Sequence, residues 1–245
     1  MGEKRVSRAR TRGRLVLASY GLNDRQMTLE TLVALHECDA IYSDALTAGT
    51  KRSLERTFGP GCSRIKLLTD LSREGIERFL AAQVEKGRVV AFLTYGDPTI
   101  LSTCGALIDL CEKGNIDYRV YPAISYLNVL LGELRLASAG SAGVLLTWVG
   151  TEVSGFNARV PALVFLFGTK SHAKCADSLI GDIRRAYPRE HQVEVLSYFV
   201  SDGGGLRRNR YRIEDLKRAW DEADNQSTLY IPAVAMSRGF DRGHK

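Results

Sequence analysis

Apolar residues follow two alternating rhythms in the first half of the chain. Continuous apolar runs such as Val89-Val90-Ala91-Phe92-Leu93 suit strands covered on both faces of a parallel sheet. Between the runs, apolar positions recur at three- and four-residue spacing, the mark of helices with one buried face. This pattern predicts strands at Arg14 to Tyr20, Ala40 to Ser43, Arg64 to Leu67, Val89 onward and Tyr118 to Val120. It predicts helices over Gln26 to Glu37, near Lys51 to Thr57, over Arg73 to Lys86, over Leu101 to Lys113 with Gly114 as C-cap, and over Ser125 to Leu134. Strand followed by helix, repeated five times, makes a parallel doubly wound sheet with right-handed crossovers the economical topology. A first α/β domain is expected over residues 14–137, followed by the small, polar linker Ala137 to Gly143.

The second half has a different pattern. Strands are expected at Val144 to Val149, Ala162 to Phe167, Val193 to Phe199 and Thr228 to Ile231, with one long helix from His172 to Tyr187. Two strands in succession before any helix predict a mixed sheet in a second α/β domain over residues 143–237. Ser201 to Gly205 reads as a flexible connector. Arg207, Arg208, Arg210 and Arg212 are spaced as the solvent face of a strand.

Composition narrows the setting. At 245 residues and 44% apolar content the chain fits a globular protein with one large core or two modest ones. No apolar run approaches the roughly 20 residues of a membrane span, and no signal-peptide core is present, so a cytoplasmic location is expected. Residues 1–14 carry +5 of the net charge of +6, which makes residues 1–13 a basic, disordered arm and leaves the body near neutral. Nucleic acid is therefore not expected as a partner. The cysteines at 38, 62, 104, 111 and 175 lack CxxC spacing and read as core thiols. His36, His172, His191 and His244 lack metal-ligand spacing, so no metal is expected.

Chemistry is most legible where the fourth strand stops at Tyr95-Gly96-Asp97-Pro98, with a helix expected just after Pro98. In doubly wound sheets this junction binds ligands. No GxxxxGK[ST], GxSxG or HExxH occurs, and the first βα turn lacks the second and third glycines of a dinucleotide fingerprint.

Gly21 after the first strand, Asp44 after the second, the Gly96-Asp97-Pro98 turn, and Pro122-Ala123-Ile124-Ser125 after the fifth resemble, in order and spacing, the landmarks of the tetrapyrrole methylase superfamily. The resemblance runs from about Leu15 to Ala235. It implies an S-adenosylmethionine-dependent methyltransferase of two α/β domains, with its active site in the cleft between them and a homodimeric assembly. Within the superfamily, Gln26-Met27-Thr28-Leu29, Tyr95-Gly96-x-Pro98, Tyr187-Pro188-Arg189-Glu190-His191 and Ser227-Thr228-Leu229-Tyr230-Ile231-Pro232 resemble the borosin-type peptide backbone N-methyltransferases. Borosin enzymes usually carry His where this chain has Asp97. They also place tyrosines around the third strand, where Lys66 to Arg73 has none.

By this resemblance the donor lies against Tyr95, Gly96, Asp97, Pro98, Ile100, Leu101, Ser102, Thr103, Ser125 and Tyr126, with Phe167, Gly168, Pro232, Ala233 and Val234 from the second domain. A pocket of this kind needs close backbone approach, hydroxyls and apolar contacts. The acceptor sets the remaining chemistry. An amide nitrogen must lose its proton while its carbonyl oxygen is stabilised, whereas an electron-rich pyrrole carbon or a carboxylate needs mainly positioning. Tyr20, Tyr42, Tyr95 and Tyr126 fall at strand ends and Arg73 opens a helix, so Tyr20, Tyr42, Arg73 and Tyr95 are the catalytic candidates. The reading is N-methylation of a separate precursor peptide supplied in trans, since the chain ends at Lys245 soon after the second domain. Its alternatives are C- or O-methylation of a tetrapyrrole, natural product or carboxylate, and a degenerate member that binds donor or partner without transferring methyl groups.

Overall fold

The computed structural model describes residues 13–23, 25–44, 46–59, 64–136, 143–151, 155–199 and 205–234. Residues 1–12 of the arm expected over 1–13, the linker residues 137–142, the connector residues 201–204, and Cys62, His244 and Ala235 lie outside them, whereas Gly13 is buried against Val84. The chain divides into two compact units, Met1–Leu130 and Leu131–Lys245.

The first unit alternates β1 (Arg14–Ser19), α1 (Leu29–His36), β2 (Ala40–Ser43), α2 (Ala48–Phe58), β3 (Ile65–Leu67), α3 (Arg73–Glu85), β4 (Val89–Thr94), α4 (Cys104–Gly114), β5 (Asp117–Val120) and α5 (Tyr126–Glu133). Its five strands pair in the order β3-β2-β4-β1-β5, all parallel. Successive side chains of a strand point to opposite faces, and both faces here are apolar. Val16, Ala18, Ile41, Ala91 and Leu93 pack with Leu35 of α1 and Leu54 of α2. Leu15, Leu17, Tyr42, Val90 and Phe92 pack with Ile76 and Leu80 of α3 and Leu107 of α4. The helices leaving neighbouring strands β1 and β4 thus lie on opposite faces, which opens a switch point at the carboxyl ends of these two strands. Gly96 N–H donates to the Gly21 carbonyl there at 3.0 Å.

Element ends shift by a few residues from the sequence expectation, and in α1 and α4 the local reasons are clear. Helix α1 begins at Leu29 rather than Gln26, because Thr28 is the N-cap whose hydroxyl accepts the Thr31 N–H, while Gln26 Oε1 accepts the Leu22 N–H across the loop. Helix α4 begins at Cys104 rather than just after Pro98, because Leu101 sits at φ 49, outside the helical region, and Ser102 Oγ accepts the Cys104 N–H. The same helix includes Gly114, and Asn115 takes the left-handed C-cap at φ 51.

The second unit holds β6 (Leu145–Trp148), β7 (Ala162–Phe165), α6 (Ala173–Ala186), β8 (Gln192–Phe199), β9 (Gly205–Arg212), α7 (Leu216–Glu222) and β10 (Thr228–Ile231). Its sheet runs β6-β7-β10-β8-β9, with β6 and β7 parallel and the other pairs antiparallel. One face packs on Leu179, Ile180 and Ile183 of α6 and Leu216 and Trp220 of α7. Helix α7 escaped the sequence reading because seven residues carry too short a period to stand out. Strand β9 begins at Gly205, placed in the expected connector, and exposes Arg208, Arg210 and Arg212 on one face as the spacing predicts, while Arg207, one residue out of that period, is exposed on the other. Among the thiols, Cys38, Cys104 and Cys111 are buried, but Cys175 is exposed on α6, contrary to the core reading.

Candidate functional site

In the first unit the site grows from the turn after β4. Gly96 adopts φ +71, and a Cβ added there would meet nothing within 4 Å, so the turn presents open backbone. Asp97 is 6% exposed and both its carboxylate oxygens are engaged. Oδ1 accepts from the Thr99 N–H at 2.7 Å and from the Thr99 hydroxyl. Oδ2 accepts from the Ala123 N–H at 2.9 Å, tying the turn to the segment after β5. Asp97 therefore shapes the turn through protein contacts. Pro98 is buried, while Tyr95 and Leu101 stand at the surface with Ile100 between exposed and buried. The left-handed backbone of Leu101 costs about 1 kcal/mol, a strain typical of functional turns.

Hydroxyls cluster at the same end of the sheet. Ser125 Oγ donates to Asn128 Oδ1 at 2.9 Å, which fixes the start of α5 just before Tyr126. Thr103 Oγ1 donates to Asp44 Oδ2 at 3.5 Å. Asp44 Oδ1 is buried with no hydrogen-bond partner among the described residues. Burial raises the Asp44 pKa, partly opposed by hydrogen bonds from its own backbone and Thr103. A cavity of about 210 Å³ opens beside it, lined by Asp44, Leu68, Thr69, Arg73, Phe92 and Thr103 among others.

The catalytic candidates fall in three settings. Tyr20 is 3% exposed at the end of β1, its ring 6.1 Å from that of Tyr95. Burial, then the proximity of Tyr95 and Asp44, raises its pKa, so its phenol stays protonated at neutral pH. Arg73 opens α3 on the cavity wall and pairs with Glu77 at 3.7 Å. Tyr42 sits inside the core with its ring edge-on to Phe79 at 4.9 Å, which makes it a packing residue in this structure. Asp44 stands among the sequence landmarks, but nothing in its spacing marks it as a site residue. Its orphaned carboxylate oxygen could not be foreseen from spacing.

The second unit positions its own candidates differently. Phe167 is fully buried, edge-on to Trp220 at 5.1 Å. Gly168 has φ +95, and a Cβ there would lie 2.5 Å from Ala223 Cβ, so close packing with α7 requires glycine. After β10, the Pro232 carbonyl accepts from His191 Nε2 at 2.9 Å. Ala233 follows, and the Val234 N–H donates to the Ala158 carbonyl at 2.7 Å.

Among the described residues no cluster of His, Cys, Asp or Glu could hold a metal ion, and no helix is long and apolar enough to cross a membrane. Comparison with known proteins adds the lineage. The chain is 24% identical over 140 residues to uroporphyrinogen-III C-methyltransferase of Bacillus subtilis, covering 55% of this chain and 51% of that protein. It is 25% identical over 139 residues to diphthine synthase of Aeropyrum pernix, covering 54% and 45% respectively. The chain thus spans about half the length of these curated relatives. Its fold is similar to that of uroporphyrin-III C-methyltransferase from Thermus thermophilus, with a TM-score of 0.66 at 19% identity over 91% of this chain and 93% of the other. A second structure of that Thermus enzyme, complexed with S-adenosylhomocysteine, has a TM-score of 0.64 at 20% identity over 89% and 92%. Cobalt precorrin-4 methyltransferase has a TM-score of 0.66 at 16% identity over 92% and 97%. The family model for tetrapyrrole (corrin/porphyrin) methylases matches residues 14–198, a stretch that holds the Gly96 turn, Asp44 and the Asp97 bridge, and the chain belongs to that family.

Proposed function

We propose that the protein is a methyltransferase that uses S-adenosylmethionine. The observation that carries this reading is the open, glycine-led turn after β4, strained at Leu101 and set within a sequence of methylase lineage. Tyr95, Gly96, Pro98, Ile100, Leu101 and Thr103 would hold the donor from the first unit, with Ser125 and Tyr126 at the start of α5. In the second unit the family resemblance assigns Pro232, Ala233 and Val234 to the donor, whereas Phe167 and Gly168 are taken up by packing against Trp220 and Ala223. Bound there, the donor supplies an electrophilic methyl group.

The acceptor we favour is a backbone amide of a separate peptide. Support comes from the borosin-like motifs, including Tyr187 to His191 and Ser227 to Pro232. Asp44, with one carboxylate oxygen unpartnered and its pKa raised by burial, is suited to take the amide proton. Tyr20, held protonated, is suited to donate to a carbonyl oxygen that gains negative charge. A second reading, C-methylation of a tetrapyrrole, draws on the relatives named uroporphyrinogen-III C-methyltransferase.

Calorimetric titration with S-adenosylmethionine and S-adenosylhomocysteine tests donor use, and no heat with either removes the methyltransferase reading. Methyl-labelled donor is then offered with uroporphyrinogen III in one arm and a synthetic peptide mixture in the other. Label on backbone nitrogens, located by fragmentation mass spectrometry, supports the peptide. Label on the macrocycle overturns it in favour of the second reading.

A further inference from the structure

His191 has no catalytic or ligand-binding assignment in the reading above, yet it closes a ring of contacts in the second unit. Its imidazole stacks on Tyr187 with centroids 5.5 Å apart and planes inclined by 19°. The Tyr187 hydroxyl donates to the Asn157 carbonyl at 3.3 Å. On its other side His191 Nε2 meets the Pro232 carbonyl at 2.9 Å, and Val234 N–H returns to the Ala158 carbonyl at 2.7 Å. A carbonyl oxygen only accepts, so Nε2 must carry the proton. Pro232 itself has no N–H with which to anchor the chain where it leaves β10. The path of residues 232–234 is therefore set by this imidazole and by the Val234 amide.

We infer that His191 is a positioning residue, which holds residues 232–234 in register through the Pro232 carbonyl and so preorganises the donor-binding edge of the second unit. The donor half of this inference rests on the methyltransferase reading, whereas the ordering half does not. It also gives a physical reason for two motifs noted separately in the sequence, Tyr187 to His191 and Ser227 to Pro232: one supplies the clamp and the other the clamped strand.

The test compares His191→Phe, which keeps a ring against Tyr187 but cannot donate, with His191→Gln, which restores an N–H donor. Hydrogen exchange is measured at Val234 and at the β8 core amide of Val195, alongside S-adenosylhomocysteine affinity by calorimetry. For His191→Phe we expect Val234 protection and affinity each to fall about fivefold to tenfold, the scale of one hydrogen bond, with Val195 unchanged and Gln restoring both. Unchanged Val234 protection in His191→Phe overturns the inference outright. Equal losses at Val234 and Val195 overturn it by reducing His191 to general stability. Lowered Val234 protection with unchanged affinity overturns the donor half. If the unaltered protein binds no donor, the methyltransferase reading and the donor half fall together, while the exchange data still decide whether the imidazole orders the segment.

Discussion

Asp97 stands at the centre of the family-like turn, and its environment explains why a carboxylate serves there. Two backbone amides and one hydroxyl point at it, so the charge replaces water with three fixed donors. Removing it strands the Thr99 and Ala123 amides, and Asp97→Ala should destabilise the protein by about 2–4 kcal/mol in urea unfolding, with loss of donor binding. Asp44 is the opposite case, a half-buried carboxylate whose buried Oδ1 has no hydrogen-bond partner among the described residues. If it accepts the acceptor's proton, Asp44→Asn should lower kcat by about 10²- to 10³-fold and leave donor affinity within a few fold. The rate of the unaltered enzyme should rise with pH as this raised carboxyl ionises, and a flat profile across the acidic range would remove Asp44 from that role. Both aspartates were visible as landmarks in the sequence. Which of the two is saturated and which is open depended on partners far along the chain, such as Ala123.

Elements were legible where their apolar period was long, and their ends were decided by single capping groups. Helix α4 illustrates this: Leu107 and Cys111 predicted the buried face, but its start depends on Leu101 and Ser102 and its end on Asn115. Asn tolerates the left-handed C-cap that Ala resists. Asn115→Ala should therefore cost about 1 kcal/mol and Asn115→Gly should be neutral or slightly stabilising, read from urea midpoints. The turn after β7 is less forgiving. Gly168 combines φ +95 with backbone of Ala223 at 2.6 Å from any added Cβ, so Gly168→Ala should cost about 2 kcal/mol or more in thermal unfolding. Strand β9, at the sheet edge, carries Arg208 and Arg210 paired with Glu194 at 3.6 and 3.1 Å. Charges of this kind protect an exposed edge from adding further strands.

Across the whole molecule, buried weak acids set the alkaline limit of stability. Burial pushes the thiols of Cys38, Cys104 and Cys111 from their usual 9.0 up to about 11, and burial with the Glu222 hydrogen bond pushes Tyr211 from 10.0 to about 12. Each folded pKa lies above its unfolded value, so the native state favours the neutral form. That stabilisation is complete below the unfolded pKa and is lost as pH rises through the folded one. Urea midpoints should hold steady to about pH 9 and fall progressively between about pH 9 and 12. Alkylation at pH 8 should modify Cys175 in the native protein and reach Cys38, Cys104 and Cys111 only after denaturation, as mapped by mass spectrometry. The βα alternation of the first unit, its parallel sheet, the mixed sheet of the second and the sharp turn after Val89 to Thr94 follow from the sequence alone, because strand and long-helix periods are local and Gly96-Asp97-Pro98 punctuates them. Tertiary structure alone decided that Tyr42 packs in the core, that Asp97 is consumed by Thr99 and Ala123, that Asp44 is left open, and that His191 reaches Pro232. Each of those outcomes depends on burial and on hydrogen bonds between residues far apart in the chain, which no periodicity encodes.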